Sequence, residues 1–320
     1  MTISIYPPGV FDIILASIIA LGTAIPLIFA PKRFFAVIRL LRPLRLIHYG
    51  GFAAGGAVIG AAVANKPLDI YLILWSTVSA FIAFQAAVFL NDIFDSEIDR
   101  LAGKDTPFTK GVLSRRGSWI LAAGLSIFSL VIVSRCGLDS FLALLSAHIV
   151  SLVYSTPLLR AKKVYPLNVF LLALAGLAVM VSGFASHAHW TLFPVRMLIL
   201  ILLTLTLTFG TKDMADVEGD RARGVRTLFT ILGLESGLRV NAALVLVSYL
   251  ATPLILNYIP LFWAAIPAGA ISSILILLAK KRVKLIEGLI LLVYIAFALA
   301  ILWLIVTARL VFHVKQSLAT

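Results

Sequence analysis

Two short stretches, residues 92–105 and 213–220, hold nine of the 14 acidic residues of this chain. The polar residues that could act together there are Asn91, Asp92, Asp95 and Asp99 in the first stretch, and Asp213, Asp216 and Asp220 in the second. Hard divalent cations such as Mg²⁺ prefer carboxylate and amide oxygens and keep coordination positions open for phosphate. Both stretches are therefore predicted to bind metal and, through the metal, a polyphosphate.

The spacing within the first stretch predicts a polar stripe on a helix. Asn91, Asp95 and Asp99 follow one another at intervals of four residues, while Asp92 lies to the side of that stripe. Carboxylates at such a spacing repel each other by roughly 0.2–0.5 kcal/mol per pair, and a bound cation would reverse that cost. The second stretch repeats the design with intervals of three and four residues.

The elements that must position these residues are membrane helices. The chain of 320 residues is 61% hydrophobic and 13% charged, which is typical of a polytopic membrane protein. About ten apolar runs could span a bilayer: 9–31, 46–65, 68–91, 117–135, 138–155, 166–186, 193–211, 236–256, 258–279 and 285–308. Each acidic stretch directly follows one of these runs, so we expect its carboxylates where a helix meets water.

The distribution of basic residues predicts the topology of these helices. The net charge is +13, yet 22 of the 27 Lys and Arg residues fall in loops on one side of the proposed membrane. The positive-inside rule assigns those loops, which include both acidic stretches, to the cytoplasm. We therefore expect an integral protein of the plasma membrane, with its active-site loops on the cytoplasmic side and no nucleic-acid partner.

Four motifs carry a resemblance to a known family. Asn91-Asp92-x-x-Asp95-x-x-x-Asp99 resembles the first motif of the UbiA superfamily of intramembrane prenyltransferases, and Lys212-Asp213-x-x-Asp216-x-x-x-Asp220 resembles the second. Tyr154-Ser-x-Pro157-x-x-Arg160-x-Lys162 is similar to the family's tyrosine and basic-loop element, and Arg42-Pro43 to its opening motif. Their order, spacing and membrane context agree from about residue 39 to the C-terminus.

The resemblance implies an all-α bundle of about nine transmembrane helices around a central cavity. In this chain one additional N-terminal helix would occupy residues 1–33, and the prenyltransferase domain would occupy residues 34–320. The family's reaction would use Mg²⁺ to ionise a polyprenyl diphosphate, transfer the prenyl group to a lipophilic or aromatic acceptor and release pyrophosphate. The partners implied are thus the polyprenyl diphosphate, the acceptor and the lipid bilayer.

Roles for individual residues follow from the same resemblance. The implied metal ligands are Asn91, Asp95, Asp216 and Asp220. The implied catalytic group consists of Asp92, Asp99, Asp213, Arg160, Lys162 and Tyr154. The implied substrate-binding residues are Arg42, Lys104, Arg160, Lys162 and Lys212. Proton removal from the acceptor would fall to Asp92, Asp99 or Asp213.

Other functions remain alternatives at this point. An ion-coupled transporter would place its acids near mid-membrane on broken helices, whereas these acids follow helix ends and precede basic loops. A CDP-alcohol phosphatidyltransferase would need further aspartates downstream, but no acid occurs between Asp220 and Glu235. The acceptor stays open among aromatic acids, chlorophyll-type alcohols, haem, archaeal glycerol phosphate lipids and phosphoribosyl donors.

Overall fold

A computed structural model describes residues 3–4, 7–101, 107, 110–156, 161–222, 224–279 and 282–308, without the side chains of 97–101 and 308. Two two-residue strands pair in parallel, β1 (Ile3–Ser4) and β2 (Leu68–Asp69). The helices are α1 (Val10–Phe29), α2 (Pro31–Ile38), α3 (Pro43–Val63), α4 (Ile70–Leu101), α5 (Arg115–Ser134), α6 (Leu138–Ser155), α7 (Leu167–Phe184), α8 (Val195–Thr208), α9 (Val217–Ala222), α10 (Leu228–Leu232), α11 (Leu234–Ile255), α12 (Phe262–Leu277) and α13 (Val283–Ala308).

The helical segments confirm the predicted class of fold. Within the part of the chain that the structure describes, ten helical segments are long and apolar enough to cross a membrane. They correspond in order to the ten runs predicted from the sequence. The first of them, α1, matches the predicted additional helix within residues 1–33, and the division between residues 1–33 and 34–320 as domains stays a prediction.

The chain divides into two compact units, and the first comprises Met1–Pro157 and Val179–Trp190. In this unit α3 packs closely against the C-terminal part of α7 because glycines line the contact. A Cβ atom added at Gly56 would lie 2.1 Å from the backbone oxygen of Met180, and one at Gly60 would lie 2.3 Å from that of Phe184. Gly56 and Gly60 therefore serve helix packing.

A buried carboxylate holds the N-terminal end of α1. Asp12 is 3% exposed and, apart from Leu15, is the buried residue of this helix. Its side chain accepts hydrogen bonds from Trp75 Nε1 at 2.7 Å, from Arg135 Nε at 3.2 Å and from the Gly9 backbone N–H at 2.9 Å. One side chain thus connects α1 to α4 and to the end of α5.

A buried histidine after α7 joins that helix to β2. His187 Nε2 accepts a hydrogen bond from the Asp69 backbone N–H at 3.1 Å, and His187 Nδ1 lies 2.7 Å from Ser186 Oγ. The imidazole is therefore neutral with its proton on Nδ1, because Nε2 must accept. Burial lowers the pKa of His187 below its ordinary value of 6.5, the Lys66 charge lowers it further, and the Asp69 charge opposes both.

We expect acid to destabilise the protein through His187. A histidine whose pKa is lower in the folded state binds more protons when unfolded, so its contribution to stability is present above pH 6.5 and is lost as pH falls below that value. Unfolding temperatures measured between pH 8 and pH 5 should fall with acid, and more steeply for wild type than for His187→Gln.

The matched control for this prediction is the neighbouring exposed His189, whose Nε2 lies 3.4 Å from Asp139 Oδ2. The His189→Gln variant should keep the acid sensitivity of the wild type. Equal slopes for wild type and His187→Gln would contradict the assignment.

The second unit comprises Leu158–Ala178 and Thr191–Thr320. Here α11 packs against α8, α10 and α12, and α12 packs against α13. The sequence predicts one continuous helix over residues 193–211, but α8 ends at Thr208 and the chain continues as a 3₁₀ segment, Phe209–Ala215. This change of helix type lies just before the second acidic stretch begins at Asp213.

Candidate active site

The first acidic stretch lies on one uninterrupted helix. Asn91 and Asp95 are half-buried on α4, and Asn91 Nδ2 donates a hydrogen bond to Asp95 Oδ2 at 3.1 Å. The predicted four-residue spacing therefore brings these two side chains together. Beneath them, a core of Phe89, Ile93 and Ala122 fixes α4 to α5.

Asp92 has a partner at the start of another helix. Arg42 precedes α3 as its N-cap, and its Nη2 lies 3.3 Å from Asp92 Oδ1. The arginine side chain is 42% exposed and the aspartate side chain 18% exposed, so water still reaches the pair. The interaction links the start of α3 to the first acidic stretch, and it brings together two residues that the sequence assigned to separate roles.

The second acidic stretch does not lie on a single helix, which differs from the repeated design that its spacing predicts. Asp213 belongs to the 3₁₀ segment Phe209–Ala215, whereas Asp216 interrupts the helix with φ −131° and ψ 31°. Asp220 lies on α9, and its backbone N–H donates to the Asp216 carbonyl at 2.8 Å. The three carboxylates therefore do not share a face in the way that residues at this spacing on one α-helix would.

Asp213 is the buried carboxylate of this stretch. It is 6% exposed, and its Oδ1 accepts a hydrogen bond from Lys212 Nζ. Its Oδ2 is buried and has no hydrogen-bond partner among the described residues. A buried carboxylate oxygen without a donor is costly, so a cation or a hydrogen-bond donor from a ligand fits this position.

The oxygen donors suit Mg²⁺ in kind, since they are carboxylates and one amide. Within the described residues no three His, Cys, Asp or Glu side chains form a cluster that could hold a metal ion by themselves. The proposed ligands Asn91, Asp95, Asp216 and Asp220 belong to two stretches, so the metal site stays a prediction. The unsatisfied Asp213 oxygen is the structural feature that supports it.

A third segment lies in the same unit as the second acidic stretch. Lys162 is half-buried in a 3₁₀ turn, Ala161–Lys163, whose Lys163 carbonyl accepts a hydrogen bond at 3.0 Å from the backbone N–H of Arg226. This bond joins the basic cluster near residue 160 to the loop that follows α9. It thereby fixes the backbone beside Lys162.

Tyr165 is a residue that the sequence analysis missed. Burial raises the pKa of its phenol, and the negative charge of Asp213 raises it further, so the two side chains interact electrostatically. Tyr165 lies two residues after Lys163, which ends the basic cluster of Arg160, Lys162 and Lys163. That position was the signal available in the sequence. We expect its neutral hydroxyl to serve as a hydrogen-bond donor near Asp213.

The remaining predicted residues are distributed as follows. Tyr154 is half-buried near the C-terminal end of α6, in the first unit. Arg160 and Lys104 lie outside the described residues, and so does the side chain of Asp99. Their assignments stay predictions.

Comparison with known proteins adds independent information. Residues 52–318 match the UbiA prenyltransferase family. A digeranylgeranylglyceryl phosphate synthase of Natronomonas pharaonis is 28% identical over 224 residues, which cover 70% of this chain and 78% of that protein. A chloroplastic 2-acylphloroglucinol 4-prenyltransferase of Humulus lupulus is 32% identical over 174 residues, but these cover 51% of this chain and 42% of that protein.

Among solved structures, a UbiA homolog from Archaeoglobus fulgidus bound to GPP and Mg²⁺ has a similar fold. The TM-score is 0.62 at 19% sequence identity, and the alignment covers 83% of this chain and 99% of that one. At this identity the likeness supports the fold alone, and it agrees with the helical membrane architecture described above.

Proposed function

The chain belongs to the UbiA prenyltransferase family, and from this premise we propose that it transfers a prenyl group from a polyprenyl diphosphate to a prenylated glycerol phosphate acceptor. It is an integral membrane prenyltransferase. The proposal concerns its metal, its substrates and the residues that act on them. The observation that carries it is the buried, unsatisfied oxygen of Asp213 in the second acidic stretch.

The paired charges support a diphosphate-binding role. Lys212 contacts Asp213, and Arg42 contacts Asp92, so each acidic stretch has a cation within hydrogen-bonding distance. A carboxylate beside a cation can hold that side chain in place through a charge-assisted hydrogen bond. We propose that the same lysine and arginine donate to the oxygens of a diphosphate that binds through a metal.

The proposed mechanism divides the work between these residues. Mg²⁺, when bound, supplies a Lewis acid that stabilises the charge of the departing pyrophosphate. The metal would be held by Asn91, Asp95, Asp216 and Asp220, with Lys162 donating to the diphosphate. The UbiA homolog from Archaeoglobus fulgidus that was solved with GPP and Mg²⁺ supports this choice of metal and substrate class.

The apolar helices supply the second requirement of the reaction. An allylic cation formed by loss of pyrophosphate reacts with water unless water is excluded. The apolar runs below both acidic stretches provide a water-poor environment and can accommodate a lipid tail. The carboxylates Asp92, Asp99 and Asp213 are the candidates for receiving the acceptor's proton, and the neutral hydroxyl of Tyr165 can donate a hydrogen bond.

Two relatives suggest different acceptors, and we favour the glycerol phosphate class. The digeranylgeranylglyceryl phosphate synthase aligns with 70% of this chain, whereas the 2-acylphloroglucinol 4-prenyltransferase aligns with 51%. A phosphorylated acceptor also suits the many basic residues of the predicted cytoplasmic loops. We propose the plasma membrane as the location, with the active-site loops in the cytoplasm.

The test is pyrophosphate release by the full-length protein purified in detergent. With geranylgeranyl diphosphate and geranylgeranylglyceryl phosphate, we expect release that requires the acceptor and Mg²⁺ and that stops on addition of EDTA. A phenolic acceptor, such as an acylphloroglucinol, is the comparison arm.

Activity with the phenol alone would overturn the proposed acceptor and retain the enzyme class. No release with either acceptor, from protein shown to be folded, would overturn the proposed donor and acceptor together. Metal-independent release would overturn the role of Mg²⁺.

A further inference from the structure

The 3₁₀ segment Phe209–Ala215 is expected to depend on contacts with side chains outside the segment. It is seven residues long, whereas 3₁₀ runs longer than about three to four residues are uncommon because their hydrogen bonds have poorer geometry. Four of its residues, Gly210, Thr211, Asp213 and Met214, are buried. A 3₁₀ helix of this length can keep its conformation when side chains from neighbouring elements form hydrogen bonds with it.

Asn241, on α11, is in contact with this segment. It is 0% exposed, and its Nδ2 donates a hydrogen bond to Thr211 Oγ1 at 3.1 Å. The same nitrogen lies 4.0 Å from Met214 Sδ. An amide is a costly group to bury in an apolar helix unless its hydrogen bonds are made, so these contacts account for the position of Asn241.

The other end of the amide faces the same segment. A Cβ atom added at Gly210 would lie 3.3 Å from Asn241 Oδ1, which shows that the side chain approaches the backbone of the segment closely. In a 3₁₀ helix, side chains three residues apart eclipse each other, so we expect Asp213 to share the face of Gly210. Both Asn241 Oδ1 and Asp213 Oδ2 are buried without a hydrogen-bond partner among the described residues.

We propose that Asn241 is a positioning residue for the second acidic stretch. Its hydrogen bond to Thr211 holds the segment in its 3₁₀ form. This bond thereby fixes the orientation of the Lys212 and Asp213 side chains. The link to metal binding rests on the proposed function, because it assumes that this stretch binds Mg²⁺ and diphosphate. The structural part, that Asn241 holds the segment, stands on the contacts alone.

The first experiment measures amide hydrogen exchange in the ligand-free, full-length protein in detergent. Asn241→Leu keeps the size of the side chain and removes its hydrogen bonds, while Thr211→Val removes the hydroxyl that accepts the bond. Each is expected to speed exchange of peptides covering residues 209–215 by about tenfold, the effect of losing one buried hydrogen bond. The double variant should exchange no faster than either single variant, because one bond is lost in all three.

Two further variants separate positioning from general loss of stability. Thr211→Ser retains the hydroxyl and should keep exchange slow. Ser272→Ala removes a different buried contact, the 3.3 Å hydrogen bond between Ser272 Oγ and Tyr249 OH that joins α12 to α11. It should lower the unfolding temperature without speeding exchange at residues 209–215. Equal exchange of residues 209–215 in wild type, Asn241→Leu and Thr211→Val would overturn the proposal.

The second experiment tests the connection to the metal. Thermal unfolding is followed while Mg²⁺ is added in the presence of geranylgeranyl thiodiphosphate, an analogue whose diphosphate leaves poorly. Asn241→Leu and Thr211→Val should raise the half-saturating Mg²⁺ concentration by about tenfold, and Ser272→Ala should leave it unchanged. Unchanged Mg²⁺ dependence with accelerated exchange would overturn the metal connection. A wild type without any response to Mg²⁺ would instead count against the proposed function, and hydrogen exchange would still decide the role of Asn241.

Discussion

Replacing Asp95 or Asp216 with alanine should lower the turnover number by about a thousandfold or more, because each change removes an anionic oxygen donor on which transition-state charge stabilisation would depend. Turnover would be measured as pyrophosphate release at saturating geranylgeranyl diphosphate, acceptor and Mg²⁺. Both residues are half-buried and have like charges in their own stretches, so neither change should cost much folding stability. The unfolding temperature of each variant should remain near that of the wild type.

The matched control for this pair is Asp139→Ala. Asp139 lies in the first turn of α6, and its carboxylate contacts His189 away from both acidic stretches in sequence. This variant should retain turnover within about twofold, in line with surface substitutions away from a site. Near-normal turnover in folded Asp95→Ala or Asp216→Ala would remove that residue from the metal site, and a large loss in Asp139→Ala would show that the assay responds to any lost carboxylate.

The first acidic stretch could be predicted in detail because its geometry is local. A four-residue spacing on a continuous helix brings side chains together whatever the rest of the fold does, and Asn91 and Asp95 are indeed hydrogen-bonded. The helical class and the number of candidate spans followed from composition and the apolar runs, and the family followed from the resemblance of four motifs. These features depend on short-range periodicity, which a sequence displays directly.

The second stretch could not be predicted to the same depth because its shape depends on distant residues. Thr211 is bonded to Asn241, which lies 30 positions later in the chain. The change from α-helix to 3₁₀ helix after Thr208 therefore depends on a tertiary contact. The local spacing of Asp213, Asp216 and Asp220 does not indicate it. Tyr165 was missed for the same reason, since its interaction with Asp213 joins separate parts of the sequence.

The attachment of the N-terminal helix illustrates this limit most clearly. Sequence alone predicts α1 as an apolar helix and leaves Asp12 as one charge near its start. In the structure Asp12 is bonded to Trp75 and Arg135, which lie 63 and 123 positions away. A lone carboxylate in an apolar run does not indicate which residues are its partners. The free energy cost of placing its charge there indicates only that partners exist.

Replacing Asp12 with leucine should therefore destabilise the protein strongly, by on the order of 3 kcal/mol, because it removes a buried acceptor and leaves its donors without a partner. Asp12→Asn keeps one oxygen, which can accept from Trp75 or from Gly9, and loses the charge that attracts Arg135, so we expect it to cost less than Asp12→Leu. The free energy of unfolding would be measured by titrating SDS into the protein in mild detergent.

A control on the same helix distinguishes the loss of this anchor from any change in α1. Among the described residues, Thr23 Oγ1 bonds only to the carbonyl of Ile19 within the helix and is exposed, so Thr23→Val should change stability by less than about 0.5 kcal/mol. If Asp12→Leu were as stable as Thr23→Val, the three hydrogen bonds would contribute nothing and α1 would be held by its apolar contacts. The expected order, with leucine below asparagine and asparagine below wild type, would instead establish Asp12 as the residue that fastens the additional helix to α4 and α5.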